Sequence, residues 1–110
     1  MGLYNIVRIQ SACPKCGAKV PAEVQFKYGS TRQNAYAVGS ALRWGNDDIG
    51  DKALAKVVVD GVAEISCSRC AKPRDVDYYV YVTDNSIEKV ELSDGRYDFA
   101  AADEPFISLK

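Results

Sequence analysis

Two Cys-x-x-Cys pairs, Cys13-Pro14-Lys15-Cys16 and Cys67-Ser68-Arg69-Cys70, stand 50 residues apart in a chain that has no histidine. Two thiolates at this spacing fit within one tight turn and can chelate a single metal ion. Two such turns complete a closed tetrahedral shell. The pattern therefore predicts one structural Zn2+ bound by Cys13, Cys16, Cys67 and Cys70. Gly17 allows the backbone to turn through positive φ just after the first pair, and Pro14 stiffens the same loop. Ala71 follows the second pair and lacks that freedom. A disulfide framework would need an oxidising compartment, for which the sequence offers no sign. A redox dithiol would open a helix after a strand, whereas both pairs here fall between predicted strands. A catalytic zinc keeps an open position and commonly includes His or a carboxylate in its shell, so four cysteines argue for a structural role.

The Cys-Pro-Lys-Cys-Gly stretch at 13–17 resembles the zinc knuckle of the zinc-ribbon superfamily, in which two β-hairpin knuckles face each other across one zinc. The second pair keeps the cysteines without the Pro and Gly. The resemblance covers roughly residues 3–28 and 62–83. It implies an elaborated zinc ribbon, and it points away from an iron–sulfur cluster, which four cysteines could also hold. Because the pairs are farther apart than in a compact ribbon, residues 29–55 are expected to be an insertion between the halves of a single domain, 1–110. Zinc ribbons serve many functions, so the resemblance implies a fold and a metal rather than one activity.

The remaining pattern predicts a mainly β protein with antiparallel strands in one or two small sheets. Residues 3–10 are rich in β-branched and aromatic types. Over 20–28, Val24, Phe26 and Tyr28 alternate with Glu23, Gln25 and Lys27, the period of a half-buried strand. Residues 29–55 are Gly-rich and polar around Leu42 and Trp44, with a strand expected near 35–38 and a turn at 45–47. They are expected to pack across the sheets. Asp60-Gly61, between Lys56–Val59 and Val62–Ile65, reads as a type I′ hairpin turn. Residues 76–83 form a strand with Val76, Tyr78, Val80 and Val82 on one face, Asp84-Asn85 a turn, and 86–92 a returning strand rather than a helix. The last few residues read as loose.

At 110 residues, 47% hydrophobic and 26% charged, the composition is that of an ordinary globular domain. No apolar run reaches the roughly 20 residues that span a bilayer. The start lacks the features of a secretion signal or a myristoylation site, so a cytoplasmic location is expected. Residues 1–43 carry a net charge of +5 and residues 44–110 a net −6. Such polarity steers a charged partner unless the two halves interleave in the fold.

Without histidine, and with no motif that arms its carboxylates, the chain is not expected to be an enzyme. The first expectation is a small protein-binding module or inhibitor, an immunity protein against a basic toxin being one concrete form. Its surface would be built from Trp44, Asp47, Asp48, Asp51, Tyr79 and Tyr81. Trp44 either anchors that surface or plugs the core, and the tyrosines lie on either a covered or an exposed face. The 46–51 acids do not match a calcium loop. The alternative is a nucleic-acid-binding ribbon using Lys15, Lys19, Arg69, Lys72 and Arg74 around the knuckles.

Overall fold

The computed structural model describes residues 4–13, 17–30, 34–45, 48–50, 53–66, 73–102 and 105–109, with 48, 66, 73 and 74 described in their backbone only. The chain is mainly β, and its antiparallel strands form a curled half-barrel sheet. Strand β1 (Asn5–Ala12) forms a hairpin with β2 (Lys19–Phe26), residue 5 opposite 26 and residue 12 opposite 19. Alternation is strict along β2: Val20, Ala22, Val24 and Phe26 are buried, while Lys19, Pro21, Glu23 and Gln25 are exposed. The two-residue strands β3 (Gly29–Ser30) and β5 (Asp48–Ile49) pair with each other, and β4 (Ala35–Ala37) runs parallel to β1.

The spine is the long hairpin of β6 (Lys56–Ser66) and β7 (Pro73–Thr83), eleven residues in unbroken register. Asp84 and Asn85 both have positive φ, 50° and 64°, and turn the chain into β8 (Ser86–Leu92), in agreement with the expected turn and strand. The sheet order is β4-β1-β2-β6-β7-β8.

Asp60-Gly61 is not a turn. Both residues lie inside β6, opposite Tyr79 and Tyr78 of β7. Glycine is needed at 61 for a different reason: β2 passes so close that a Cβ there would lie 2.7 Å from Val24 Cγ1 and 3.3 Å from Val80 Cγ2. Phe26 and Gln25 of β2 pair with Gly61 and Val62 at this point only. The eleven-residue ladder outweighs a local turn preference, because such preferences are small and follow their context.

The concave face holds the main core. Val7, Val24, Phe26, Val57, Val59, Ile65, Tyr78, Val80, Val82 and Ile87 are buried in it, each contributing on the order of 1.5–3 kcal/mol. From the described residues of 29–55, Tyr36, Leu42, Trp44 and Leu54 pack against this core. Trp44 stands edge-on to Tyr28 with ring centroids 5.4 Å apart, so it plugs the core. Buried Asn5 ties this segment to β1, its amide donating to the Tyr28 carbonyl (3.0 Å) and its oxygen accepting from the Asn34 N–H (3.1 Å).

The C-terminal residues fold back as a strap over the convex face. The Arg96 guanidinium beside Asp94 (2.7 Å) holds that carboxyl down at about 2. Asp98 then caps the one-turn helix α1 (Phe99–Ala102), accepting from the Ala101 N–H. The short strand β9 (Phe106–Ser108) pairs with Val57–Val59 of β6. The C-terminal end that reads as loose in sequence is therefore part of the sheet, because β6 leaves that stretch of edge open for it.

Gly61→Val is expected to destabilise the fold by about 1–3 kcal/mol, since β2 and Val80 must move to admit the side chain. Denaturant unfolding followed by Trp44 fluorescence measures it; an unchanged midpoint would contradict the close crossing.

Candidate functional site

The expectation of a bound Zn2+ is corrected here. Among the described residues, no group of three or more His, Cys, Asp or Glu could hold a metal ion. Cys13 is 3% exposed and belongs to the concave hydrophobic core, while the described carboxylates on β2, β6 and β7 lie on exposed positions of the opposite face, so the two kinds of ligand do not converge. The Cys13 turn is closed by its N–H donating to Ala18 and its carbonyl accepting from Gly17. Cys16, Cys67 and Cys70 lie outside the described residues. The antiparallel pairing of β2 with β6 does carry the Cys13 end of the first hairpin and the Ser66 end of the second to the same end of the sheet.

The expected partner-binding residues are not gathered into one surface. Tyr79 and Tyr81 are 2% and 8% exposed, buried with Val58 beneath Tyr97, Phe99 and Ile107 of the strap. Tyr79 meets Tyr97 edge-on at 4.9 Å, and its hydroxyl accepts from the Tyr97 N–H at 3.3 Å. Burial and the nearby Tyr97 push the Tyr81 hydroxyl well above its usual value, and the Lys89 ammonium lies 4.8 Å from the centre of its ring. A face that sequence left either open or covered is thus closed by the chain itself. Trp44 faces the core, Asp48 is described only as part of β5, and Asp47 and Asp51 lie outside the described residues. Of the five basic residues expected around the knuckles, Lys19 alone has a described side chain, exposed on β2; Lys15, Arg69 and Lys72 lie outside the described residues.

The strap covers only half of the convex face. It ends where the Pro105 carbonyl accepts from the Asp60 N–H (2.8 Å), and beyond that point Val62 and Glu64 are exposed among the described residues. Register places Ile6, Gln25, Val62 and Asp77 in one row across β1, β2, β6 and β7. Arg8 and Glu23 form the next row on β1–β2, as do Glu64 and Asp75 on β6–β7. Three adjoining depressions lie along these rows. One of about 570 Å3 is lined by Arg8, Gln10, Pro21, Glu23 and Glu64 among others. A second, of about 410 Å3, shares Glu23 and Glu64 with it and adds Tyr4, Ile6 and Gln25. The third, of about 280 Å3, shares Tyr4 and Gln25 and reaches Lys27, Asp60, Val62 and Pro105. Together they make one trough with a partly apolar floor, in which Val62 is 37% exposed.

Carboxylates outnumber cations along the trough, where Glu23, Asp60 and Glu64 meet Arg8 and Lys27. Asp60, Glu64, Asp75 and Asp77 share the convex face with Glu23, the single acidic residue among the first 43. Arg8 is held by Glu23 in an ion pair of 2.9 Å. Desolvation first, and the Asp77 charge second, push the Asp60 carboxyl above its ordinary value. Each of these residues looks like a solvated strand position in sequence; only the side-chain parity along β2 and β6 could have grouped them, and the misread turn at 60–61 broke that parity.

No protein-family model, no curated protein and no solved structure matches the chain. Among the described residues no helix is long and apolar enough to cross a membrane.

Because its folded-state value is raised, protonated Asp60 favours the fold. That contribution is complete below the ordinary carboxylate value of 3.8 and is lost as pH rises through the folded value. Asp60→Asn is therefore expected to raise the melting temperature at pH 7, with a gain that shrinks as the pH falls toward 3.8. Paired thermal melts across this range check it; equal melting at all pH values would contradict the unfavourable setting of Asp60.

Proposed function

We propose that this chain is a non-catalytic protein-binding module that engages its partner through the trough on the open half of the convex face. The supporting observation is the division of that face. The strap buries Val58, Tyr79 and Tyr81, yet leaves a trough that exposes Val62 and carries Tyr4, Ile6 and Pro21 within a rim of carboxylates. An apolar floor inside a charged rim is the usual anatomy of a protein interface. The convex-face carboxylates disfavour nucleic acid, whose phosphates require a basic surface. An inhibitor or immunity protein directed at a basic target remains one concrete form of this function, now placed on the trough rather than on Trp44 and the tyrosines. The cytoplasm is the proposed location.

Site-specific photo-crosslinking in cells tests the proposal. A photoreactive residue at Gln10 or Glu64, in the trough, is expected to give discrete protein adducts that are absent when the same residue is placed at exposed Val38. Nuclease-sensitive adducts, or identical adducts from Val38, would overturn it.

A further inference from the structure

We propose that the trough takes an extended, basic polypeptide segment, which adds as a strand to the free edge of β6 at residues 63–66. The inference rests on the protein-binding reading and names the chemistry of the partner. Its first ground is the pairing of β6. One edge of this strand is bonded to β7 over all eleven residues. The other edge is divided: β9 takes 57–59 and β2 takes 61–62, and among the described residues 63–66 have no ladder partner. The β1–β2 hairpin, joined to β6 only at 61–62, does not continue the ladder toward Lys19, and the 570 Å3 depression lies between Glu64 and the β1–β2 side chains. A backbone edge with open donors and acceptors is a ready template for an incoming strand.

The second ground is the fit of side chains and charge. A strand along this edge would run beside the four residues 63–66 of β6, ~13 Å at the usual rise, next to the depression lined by Glu64, Glu23 and Arg8. Alternate side chains of the incoming segment would face the floor made by Tyr4, Ile6 and Val62. Glu64 lines that path with Asp75 and Asp77 behind it on β7; of the trough's two cations, the guanidinium of Arg8 is already engaged by Glu23, and Lys27 lines only the depression at Asp60 and Pro105. Lys or Arg at alternating positions would meet these carboxylates and relieve the repulsion between Asp60 and Asp77. The same charges argue against a second copy of this chain, since a symmetric pairing of β6 edges would set Glu64 near its own equivalent.

The probes are three fluorescent decapeptides: one alternating Lys with Val and Thr, one with Glu in place of every Lys, and the Lys peptide N-methylated at alternate residues to remove its donors on one edge. Binding is followed by fluorescence anisotropy, and backbone protection by amide hydrogen exchange. The Lys peptide is expected to bind, to slow exchange at the outward-facing amides of Glu64 and Ser66, and to lose roughly tenfold in affinity on Glu64→Lys. The Glu and N-methylated peptides are expected to bind at least tenfold more weakly. Thermal melting of Glu64→Lys confirms that this exposed position leaves the fold intact. Equal binding of the N-methylated peptide, or no protection at Glu64 and Ser66, would overturn strand addition while leaving the trough as an interface. Failure of every peptide would overturn the basic-segment proposal, and the crosslinking pattern would then decide the protein-binding reading separately. A dimer in sedimentation that Glu64→Lys abolishes would assign the edge to a second copy and overturn it as well.

Discussion

Where β2 crosses β6, the space of a Gly61 side chain is taken by Val24. This close approach welds the β1–β2 hairpin to the β6–β7 hairpin through only two ladder pairs, and the rest of the architecture follows from it. Above the crossing, β6 has an edge that β9 can occupy. Below it, residues 63–66 have no ladder partner on that edge among the described residues. On the concave side the two hairpins curl around one apolar core, against which Tyr36, Leu42 and Trp44 pack. A side chain at 61 would push the hairpins apart and open that core to water, so one small residue couples packing on the inside to the division of the sheet outside.

The convex face shows how a single strand serves two purposes. Val57–Val59 of β6 is apolar on both sides, with Val57 and Val59 facing the main core and Val58 facing the tyrosines. A strand of this kind needs cover on each face, and the strap supplies the second with Tyr97, Phe99 and Ile107. After Asp60 the outward positions become Val62 and Glu64, and cover is no longer required to keep apolar surface from water. The end of the strap and the change of composition coincide at Pro105 and Asp60. The open acidic half therefore stays hydrated on its own, while its unpaired backbone and the modest apolar floor leave it suited to a partner.

How far the site was legible follows the range of the interactions involved. The inward face of β2, the inward face of β7 and the Asp84-Asn85 turn were readable because side-chain alternation and turn chemistry are written in neighbouring residues. The zinc expectation rested on two short motifs, and among the described residues no ligand group supports it. The tyrosines could not be assigned, because what covers them comes from residues 16 or more positions away along the chain.

By itself the sequence determined a mainly β chain, the faces that its best-patterned strands bury, and the excess of acid in its second half. Tertiary structure decided the continuity of β6 through Asp60-Gly61, the docking of the C-terminal strap, and the meeting of Glu23 with the carboxylates of β6 and β7. The physical reason is the same in each case. A local preference at 60–61 amounts to about 1 kcal/mol or less, whereas an eleven-residue ladder and a packed crossing add many such increments from distant parts of the chain.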